Sequence, residues 1–405
     1  MVVRKFRGER LRNARIYRSM TLADLAEKTD LTKQALSQYE NGTTTPSDSN
    51  LFALARALYF PVEYFSTTNS YKVRSEAAYF RSLMSTNKKD RLAQIVRLEF
   101  IAQIYETLFD YIDFPQLNLP DIAFTDSKSS DEIDEKKEAE QLEQISAQVR
   151  QFWNLGKDCI RDLRYVLEEN GIVVTCASLN AEKIDAFSQR TIINNGGVFF
   201  IVISKENQSL VRARFDMAHE LAHILLHPWS EDLESISREE FKARERQANT
   251  LASAFLLPKD SFGEEIAHYP TNLDYYLHLK SKWTVSIKAM IYRAHKLAII
   301  TTNQYQYLMR QYSKNGWNSG EPDDTPYLQR SNLLQSAVEM LFAEKVLTVN
   351  GFLATLRVKG IILEPDEIED LLCLSAGTLS IPPQPQKPQL FQIRSNAHDH
   401  KAEEG

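Results

Sequence analysis

The stretch "RFDMAHELAHILLHP", residues 214–228, places three histidines and a glutamate within a largely apolar run. Burying charged or imidazole groups is costly unless they are paired or bind a metal. The apolar residues recur with helical spacing and Pro228 ends the run, which predicts a helix. His219 and His223 then lie one turn apart on the same side of that helix, because four residues turn through about 400°.

This H-E-x-x-H pattern is typical of a zinc site. Two imidazoles that leave one side of a helix can bind a single zinc ion at roughly 2.1 Å each. Glu220 lies about 100° around the helix, beside the metal, where a general base for water belongs. The alternative, a helical histidine pair that is only a packing or surface feature, is disfavoured by the strands predicted before it and the acid-bearing helix predicted after it.

The third ligand comes from the next predicted helix, 238–258. Catalytic zinc needs three protein ligands and an open fourth position. Glu245 is the best candidate, because small residues on both helices allow them to approach closely. Asn249, one turn later, is predicted to hold a ligand histidine from behind. His227 lies about 12 Å along the axis from His219, too far to share one ion with both, so it is interpreted as structural.

Composition describes a soluble protein of two or three domains. Of the 405 residues, 43% are hydrophobic and 25% are charged, and no apolar run reaches membrane-spanning length. The N-terminus has no apolar core of a signal peptide. The three scattered cysteines predict no disulfide framework and fit a reducing cytosol, so the predicted location is cytoplasmic.

Charge is unevenly distributed along the chain. The net charge is −6, yet residues 4–18 carry seven basic side chains against the single acid Glu9. A basic head on an acidic protein indicates a polyanionic partner for the head. The stretch 125–143 is polar, acidic and poor in bulky apolar residues, which predicts a linker.

Local patterns predict strands as well as helices. Runs rich in β-branched or aromatic residues that begin with glycine, 171–179 and 196–205, predict strands. Short helices with tight turns are predicted over residues 8–65, with Thr21 and Thr32 as helix caps. An extended substrate is expected to pair with the strand near 198–204.

The motif stretch resembles a known family when it is joined to "ERQANTLASAFLLP", residues 245–258. Together they resemble the ImmA/IrrE family of zincin metallopeptidases, and the resemblance covers roughly residues 141–322. It implies a zinc peptidase of the gluzincin type in which His219, His223 and Glu245 bind Zn²⁺ and Glu220 is the general base.

The head of the chain resembles the XRE/Cro-repressor helix-turn-helix, mainly through "LSQYENG", residues 36–42. Such domains lay their second helix in the major groove and commonly bind two half-sites as dimers. Leu36 and Tyr39 are expected to face the domain core, and the early arginines are expected to hold phosphates. The predicted DNA-contacting residues are Lys33, Gln34, Ser37, Gln38 and Asn41.

The predicted fold class is α+β and mostly helical, with an all-α helix-turn-helix domain, a zincin-like domain with a small sheet, and a C-terminal helical extension. The predicted divisions are a DNA-binding domain at 1–66, a helical connector at 67–124, an acidic linker at 125–143, the peptidase domain at 144–325, a C-terminal helical segment at 326–380 and a disordered tail at 381–405.

The leading functional hypothesis is a regulator that binds a double-stranded DNA operator as a homodimer and carries a zinc endopeptidase. The substrate is expected to be a repressor-type protein, or the chain's own linker, and no membrane partner is predicted. The alternative is a non-proteolytic transcription factor whose zincin-like domain senses a ligand or partner. A third reading places the chain in a toxin–antitoxin or phage-control pair.

Overall fold

The computed structural model describes residues 5–67, 74–80, 88–124, 132–177, 185–193, 196–205, 209–229, 236–327 and 332–380. The predicted tail at 381–405 and positions 125–131 of the predicted linker lie outside the described residues. Helices dominate, and four strands form one sheet, so the predicted α+β, mostly helical class is confirmed. Among the described helices, none is long and apolar enough to cross a membrane.

Short helices build the N-terminal domain. They are α1 (Gly8–Tyr17), α2 (Leu22–Thr29), α3 (Lys33–Glu40), α4 (Asp48–Leu58) and a 3-10 turn (Val62–Ser66). The Thr21 hydroxyl accepts a hydrogen bond from the main-chain N–H of Asp24. In return, the Asp24 carboxylate accepts one from the main-chain N–H of Thr21. The predicted capping interaction at Thr21 is therefore confirmed. Thr32 caps α3 through the N–H of Ala35, which confirms the second predicted cap. The domain core contains the buried residues Leu11, Leu25, Leu36 and Leu54.

The strands are β1 (Arg74–Phe80), β2 (Ile172–Ala177), β3 (Ala186–Ile193) and β4 (Gly196–Ser204). The helices between and after them are α5 (Lys88–Leu108), α6 (Glu132–Phe152), α7 (Leu163–Glu169), α8 (Leu210–Leu226), α9 (Arg238–Leu256), α10 (Lys259–Ile266), α11 (Leu273–Trp283), α12 (Ile287–Lys296), α13 (Thr302–Lys314), α14 (Leu333–Ala343), α15 (Val349–Val358) and α16 (Pro365–Leu372).

Gly8, the first residue of α1, lies against the end of α3. A Cβ at this position would stand 2.1 Å from the main-chain oxygen of Tyr39 and 2.4 Å from that of Glu40. Gly8→Ala is therefore expected to destabilise the protein by roughly 1–3 kcal/mol. The main-chain atoms of Tyr39 and Glu40 cannot move out of the way of the new methyl group as a flexible side chain could. Urea unfolding measures the loss. Gly320→Ala, where a Cβ meets nothing within 4 Å, is the control. Equal stability of Gly8→Ala and the wild type would contradict the packing described.

Three arginines of the basic head are used inside the protein. Arg10 is buried and donates to the main-chain oxygens of Thr67 and Gly360. Arg15 binds both carboxylate oxygens of Glu40, at 2.6 and 2.8 Å. Arg18 donates to the carboxylate of a C-terminal helix. The prediction that the early arginines hold phosphates is therefore wrong for these three.

The acidic stretch 125–143 is not wholly a linker, because helix α6 begins within it. Glu138 and Glu143 have basic partners on other helices, which the composition of the stretch alone does not reveal. Glu138 is buried and pairs with Arg246 of α9, at 3.1 Å. Glu143 binds the guanidinium of Arg293 on α12 through both oxygens. Helix α6 is thus part of the same packed unit as α9 and α12.

The sheet has the strand order β1-β3-β4-β2. Strand β4 pairs antiparallel with β3 and parallel with β2, while β1 pairs antiparallel with the outer edge of β3. The predicted strands correspond to β2 and β4, with positions 178 and 179 outside the described residues. The predicted substrate strand near 198–204 is wrong as a docking edge, because both sides of β4 are already hydrogen-bonded.

Each face of the sheet covers a hydrophobic core. On one face, Val173 and Phe200 pack with α5, the N-terminal domain and α14–α16. On the other face, Val174 and Ile201 pack with α6–α13. The sheet therefore separates the helix-turn-helix side of the molecule from the side that carries the H-E-x-x-H helix.

The C-terminal helix α16 contacts both the N-terminal domain and the sheet. Glu367 accepts hydrogen bonds from Arg18 and Tyr17, both at 2.8 Å. At its other end, Cys373 forms a disulfide with Cys176 of β2. The sequence predicts no disulfide framework and does not identify this single pair, whose members lie 197 residues apart.

Candidate metal centre

Helix α8 carries the two histidines of the motif in its buried middle. His219 is 0% exposed and His223 is 2% exposed. Their rings lie one turn apart with centroids at 4.7 Å, so both present Nε2 to the same point. The helix is buried on this side because small and apolar residues surround the histidines, namely Met217, Ala218, Leu221 and Ala222.

Helix α9 brings Glu245 to this point. Ala248 and Ala252 of α9, like Ala218 and Ala222 of α8, are buried, and small side chains let two helices approach closely. The structure thus brings together all three residues predicted as ligands. Among the described residues, His219, His223 and Glu245 are the group whose ligand atoms lie within 4.8 Å of one another.

The distances among the three ligand atoms fit a tetrahedral ion. The Nε2 atoms of His219 and His223 are 3.0 Å apart. Glu245 places Oε1 at 3.2 Å from Nε2 of His223 and Oε2 at 3.6 Å from Nε2 of His219. Ligand atoms bound tetrahedrally to zinc at about 2.1 Å lie about 3.4 Å from one another. A zinc ion therefore fits this donor set in size and in chemistry.

His223 and Glu245 are in their metal-binding protonation states at neutral pH. Burial lowers the pKa of His223 to about 4, although the nearby carboxylate of Glu245 acts in the opposite direction. Burial alone would raise the pKa of Glu245, but the adjacent imidazoles of His219 and His223 lower it to about 2. A metal ion would therefore not have to displace a proton from His223 or Glu245 near pH 7.

The stability of the metal-free protein is expected to fall in acid. Between pH 6.5 and about 4 the unfolded chain protonates His223 while the folded chain does not. The free energy of unfolding therefore decreases as the pH falls through this window, and Glu245 extends the decrease between pH 4.5 and about 2. Urea unfolding at several pH values measures the slope. His223→Gln should reduce the slope between pH 6.5 and 4 but not remove it, because His227, whose pKa is lowered by burial to about 2, still contributes there. An unchanged slope would contradict the assignment.

Glu220 is buried beside the three ligands and is 1% exposed. The Ser188 hydroxyl of β3 donates to its Oε2 at 2.5 Å. The sequence does not identify Ser188 as a site residue, because the stretch that forms β3 mixes polar and apolar residues and does not predict a strand. The only available signal was its alternation, which puts Ser188 on the α8 side of the sheet and Phe187 on the other.

His227, at the C-cap of α8, stands behind the ligand histidines. Its Nδ1 is 2.9 Å from Nδ1 of His223, and its Nε2 is 3.1 Å from the side-chain oxygen of Gln247. The side chain of Asn249 instead donates to the main-chain oxygen of Glu245, at 2.8 Å. The role predicted for Asn249, holding a histidine, stays a prediction.

The residues predicted to contact DNA lie along α3 and just after it; they are Lys33, Gln34, Ser37, Gln38 and Asn41. Lys33, Gln34 and Asn41 are exposed, while Ser37 and Gln38 are half-buried. Leu36 is fully buried and Tyr39 packs against the same core, as predicted. Helix α3 therefore presents a polar surface to solvent at its start.

Comparisons with known proteins agree with both halves of this arrangement. The M78 peptidase family model, described as an IrrE N-terminal-like domain, matches residues 167–295. A helix-turn-helix family model matches residues 11–65. No curated protein matches the chain. The chain thus joins an N-terminal helix-turn-helix domain of the XRE type to a metallopeptidase-type domain of the ImmA/IrrE family.

Proposed function

We propose that the protein is a DNA-binding transcriptional regulator whose second domain is a zinc-dependent endopeptidase that cleaves a repressor-type protein. The observation that carries the proposal is the meeting of two imidazoles and a carboxylate at tetrahedral distances, with a second buried carboxylate, Glu220, beside them. A metal used only for structure would not need that second carboxylate.

His219, His223 and Glu245 would hold the zinc ion. A bound zinc ion would polarise the scissile carbonyl and lower the pKa of a water molecule. Three protein ligands leave a fourth position open, as a catalytic site requires.

Glu220 acts as the general base and acid. Its carboxylate takes the proton of the attacking water and passes it to the leaving amine. The hydrogen bond from Ser188 orients the carboxylate of Glu220. Burial among apolar residues excludes bulk water, which strengthens these interactions.

An extended substrate has to reach this centre past strands that are already paired. The outer edge of β3, the strand that carries Ser188, is covered by β1, and Tyr79 is the β1 partner of Ser188. A peptide can pair with β3 only where β1 is not bonded to it. Cleavage of the chain's own residues 132–143 would require α6 to unwind, so a cut within that part of the linker is disfavoured.

The N-terminal domain binds an operator through α3, as a homodimer on two half-sites. Gln34 is exposed near the start of α3, where an amide can bond adenine through two hydrogen bonds. Gln34→Ala is expected to cost about 1–3 kcal/mol of discrimination at one base pair. Binding of operator variants by the two proteins measures this, and an unchanged preference at every position would contradict it.

A direct test needs neither the substrate nor the operator in advance. The zinc-loaded wild type and Glu220→Gln are each incubated with a lysate of the host cells, and new protein N-termini are identified by mass spectrometry. The wild type is expected to generate N-termini in a repressor-type protein that the variant does not. Identical sets of N-termini would contradict the endopeptidase proposal.

The second candidate is a sensor that changes DNA occupancy without cleavage. The contacts of α16 favour it, because this one helix joins the N-terminal domain to β2 and is placed to couple the two domains. The candidates are distinguished by the regulated gene in cells. If Glu220→Gln leaves regulation unchanged while His223→Ala alters it, the sensor hypothesis is the correct one.

A further inference from the structure

We propose that His227, Gln247 and Glu138 form a hydrogen-bonded positioning chain that fixes the tautomer and orientation of the metal ligand His223. The proposal rests on the metal site proposed above. It assigns a role to three residues on three different helices, α8, α9 and α6. One of them, Glu138, lies outside the region matched by the peptidase family model, residues 167–295.

The positioning chain starts at the carboxylate of Glu138. Glu138 is buried, and its Oε1 accepts from the guanidinium of Arg246 at 3.1 Å. Its Oε2 is 2.9 Å from the side-chain nitrogen of Gln247. A carboxylate only accepts hydrogen bonds, so the group of Gln247 that faces it must be the NH₂. The carbonyl oxygen of Gln247 is therefore turned towards His227.

The direction of every further bond follows from that first one. The oxygen of Gln247 accepts from Nε2 of His227 at 3.1 Å, so the proton of the neutral His227 ring is on Nε2. Nδ1 of His227 then has a lone pair and accepts from Nδ1 of His223 at 2.9 Å.

His223 is thereby left with its proton on Nδ1 and its lone pair on Nε2. Nε2 is the atom that points to Glu245 and His219, where the metal is proposed to bind. The positioning chain thus imposes on His223 the tautomer that a metal ligand needs. This tautomer follows from the hydrogen bonds that start at Glu138, without reference to a metal. Hydrogen bonds from ligand histidines to acceptors behind them orient such ligands in metal sites generally.

Because the positioning chain is buried, its hydrogen bonds can fix the orientation of His223. Gln247 is 1% exposed and His227 is 6% exposed, so water does not readily replace a lost bond. The other histidine ligand has no equivalent support, because Nδ1 of His219 has no hydrogen-bond partner among the described residues. The orientation of the imidazole pair therefore depends on the His223 side.

The test measures zinc affinity of the full chain by competition with a chelating dye. Gln247→Leu is expected to weaken zinc binding about 10–100-fold. Thr250→Ala, on the same helix but with its hydroxyl bonded to the main-chain oxygen of Arg246, is the matched control and should bind like the wild type. His227→Gln, which keeps an acceptor for His223, should bind more tightly than His227→Ala. Equal affinity of Gln247→Leu and the wild type would overturn the proposal.

A second measurement remains informative if a variant does not fold. Nitrogen-15 NMR of the metal-free wild type reports the tautomer of each histidine, and His223 is expected to carry its proton on Nδ1. A proton on Nε2, or a mixture of tautomers, would overturn the positioning chain. If the wild type binds zinc no more tightly than His219→Ala, the proposed metal site is wrong. If the wild type binds zinc tightly and Gln247→Leu binds it equally well, only the positioning chain is wrong.

Discussion

Replacement of Glu220 by glutamine is expected to abolish peptide hydrolysis while the protein still binds zinc. Glutamine has the size of glutamate and can still accept the hydrogen bond from Ser188, but it cannot take a proton from water. Removal of a general base costs about 10²–10⁴-fold in rate. Cleavage of a substrate found in the N-terminus experiment gives the rate, and metal analysis of the same sample gives the zinc content.

Ser188→Ala is the graded control for this prediction. It leaves the carboxylate of Glu220 in place and removes only the hydrogen bond that orients it. The rate should therefore fall less than in Glu220→Gln. If Glu220→Gln cleaves as fast as the wild type, the carboxylate is not the base and the mechanism proposed above is wrong.

His223→Ala is expected to lower zinc affinity by more than about 100-fold, since loss of a residue that merely orients a ligand already costs about 10–100-fold. Zinc at 100 times its dissociation constant stabilises a folded protein by about 2.7 kcal/mol. The wild type should therefore unfold at a higher temperature when zinc is added, and His223→Ala should not. Calorimetry with and without zinc measures both.

His278→Ala provides the matched control, because His278 is an exposed histidine of α11 outside the ligand group. It should show the full stabilisation by zinc. Equal zinc-dependent stabilisation of His223→Ala and the wild type would mean that the ion binds elsewhere.

The motif helix and its partner are predictable because their signals are local. The spacing of His219 and His223 depends only on helix geometry, and Pro228 and Pro258 mark the ends of the two predicted helices. The capping residues of α2 and α3 are equally local. The approach of Glu245 was predicted from small residues on both helices, which is the one tertiary contact that the sequence suggests.

Strand β3 was not predicted because its environment is not encoded locally. Ser188, Gln189 and Thr191 are polar, yet all three are 0% exposed, because helices cover both faces of the sheet. A polar and apolar mixture is expected of a strand with one exposed face, or of a surface loop. The partner of Ser188 is a helix residue 32 positions later, and no periodicity reveals it.

The partners of the N-terminal arginines could not be predicted from the sequence either. Seven basic residues near the N-terminus indicate a polyanion, but the acidic partners of Arg15 and Arg18 lie 25 and 349 residues away. The positioning chain is a further case, because Gln247 and Glu138 are separated by 109 residues. Charge counts and residue spacing in the sequence show which kinds of side chain are present. Which side chains pair with one another is decided by the fold.

Crystallography of the zinc-loaded full chain, with anomalous data at the zinc absorption edge, tests the central claim most directly. One zinc ion is expected about 2.0–2.2 Å from Nε2 of His219, Nε2 of His223 and a carboxylate oxygen of Glu245. An ion bound elsewhere, or a Glu245 carboxylate turned away from it, would contradict the metal centre and the peptidase built on it.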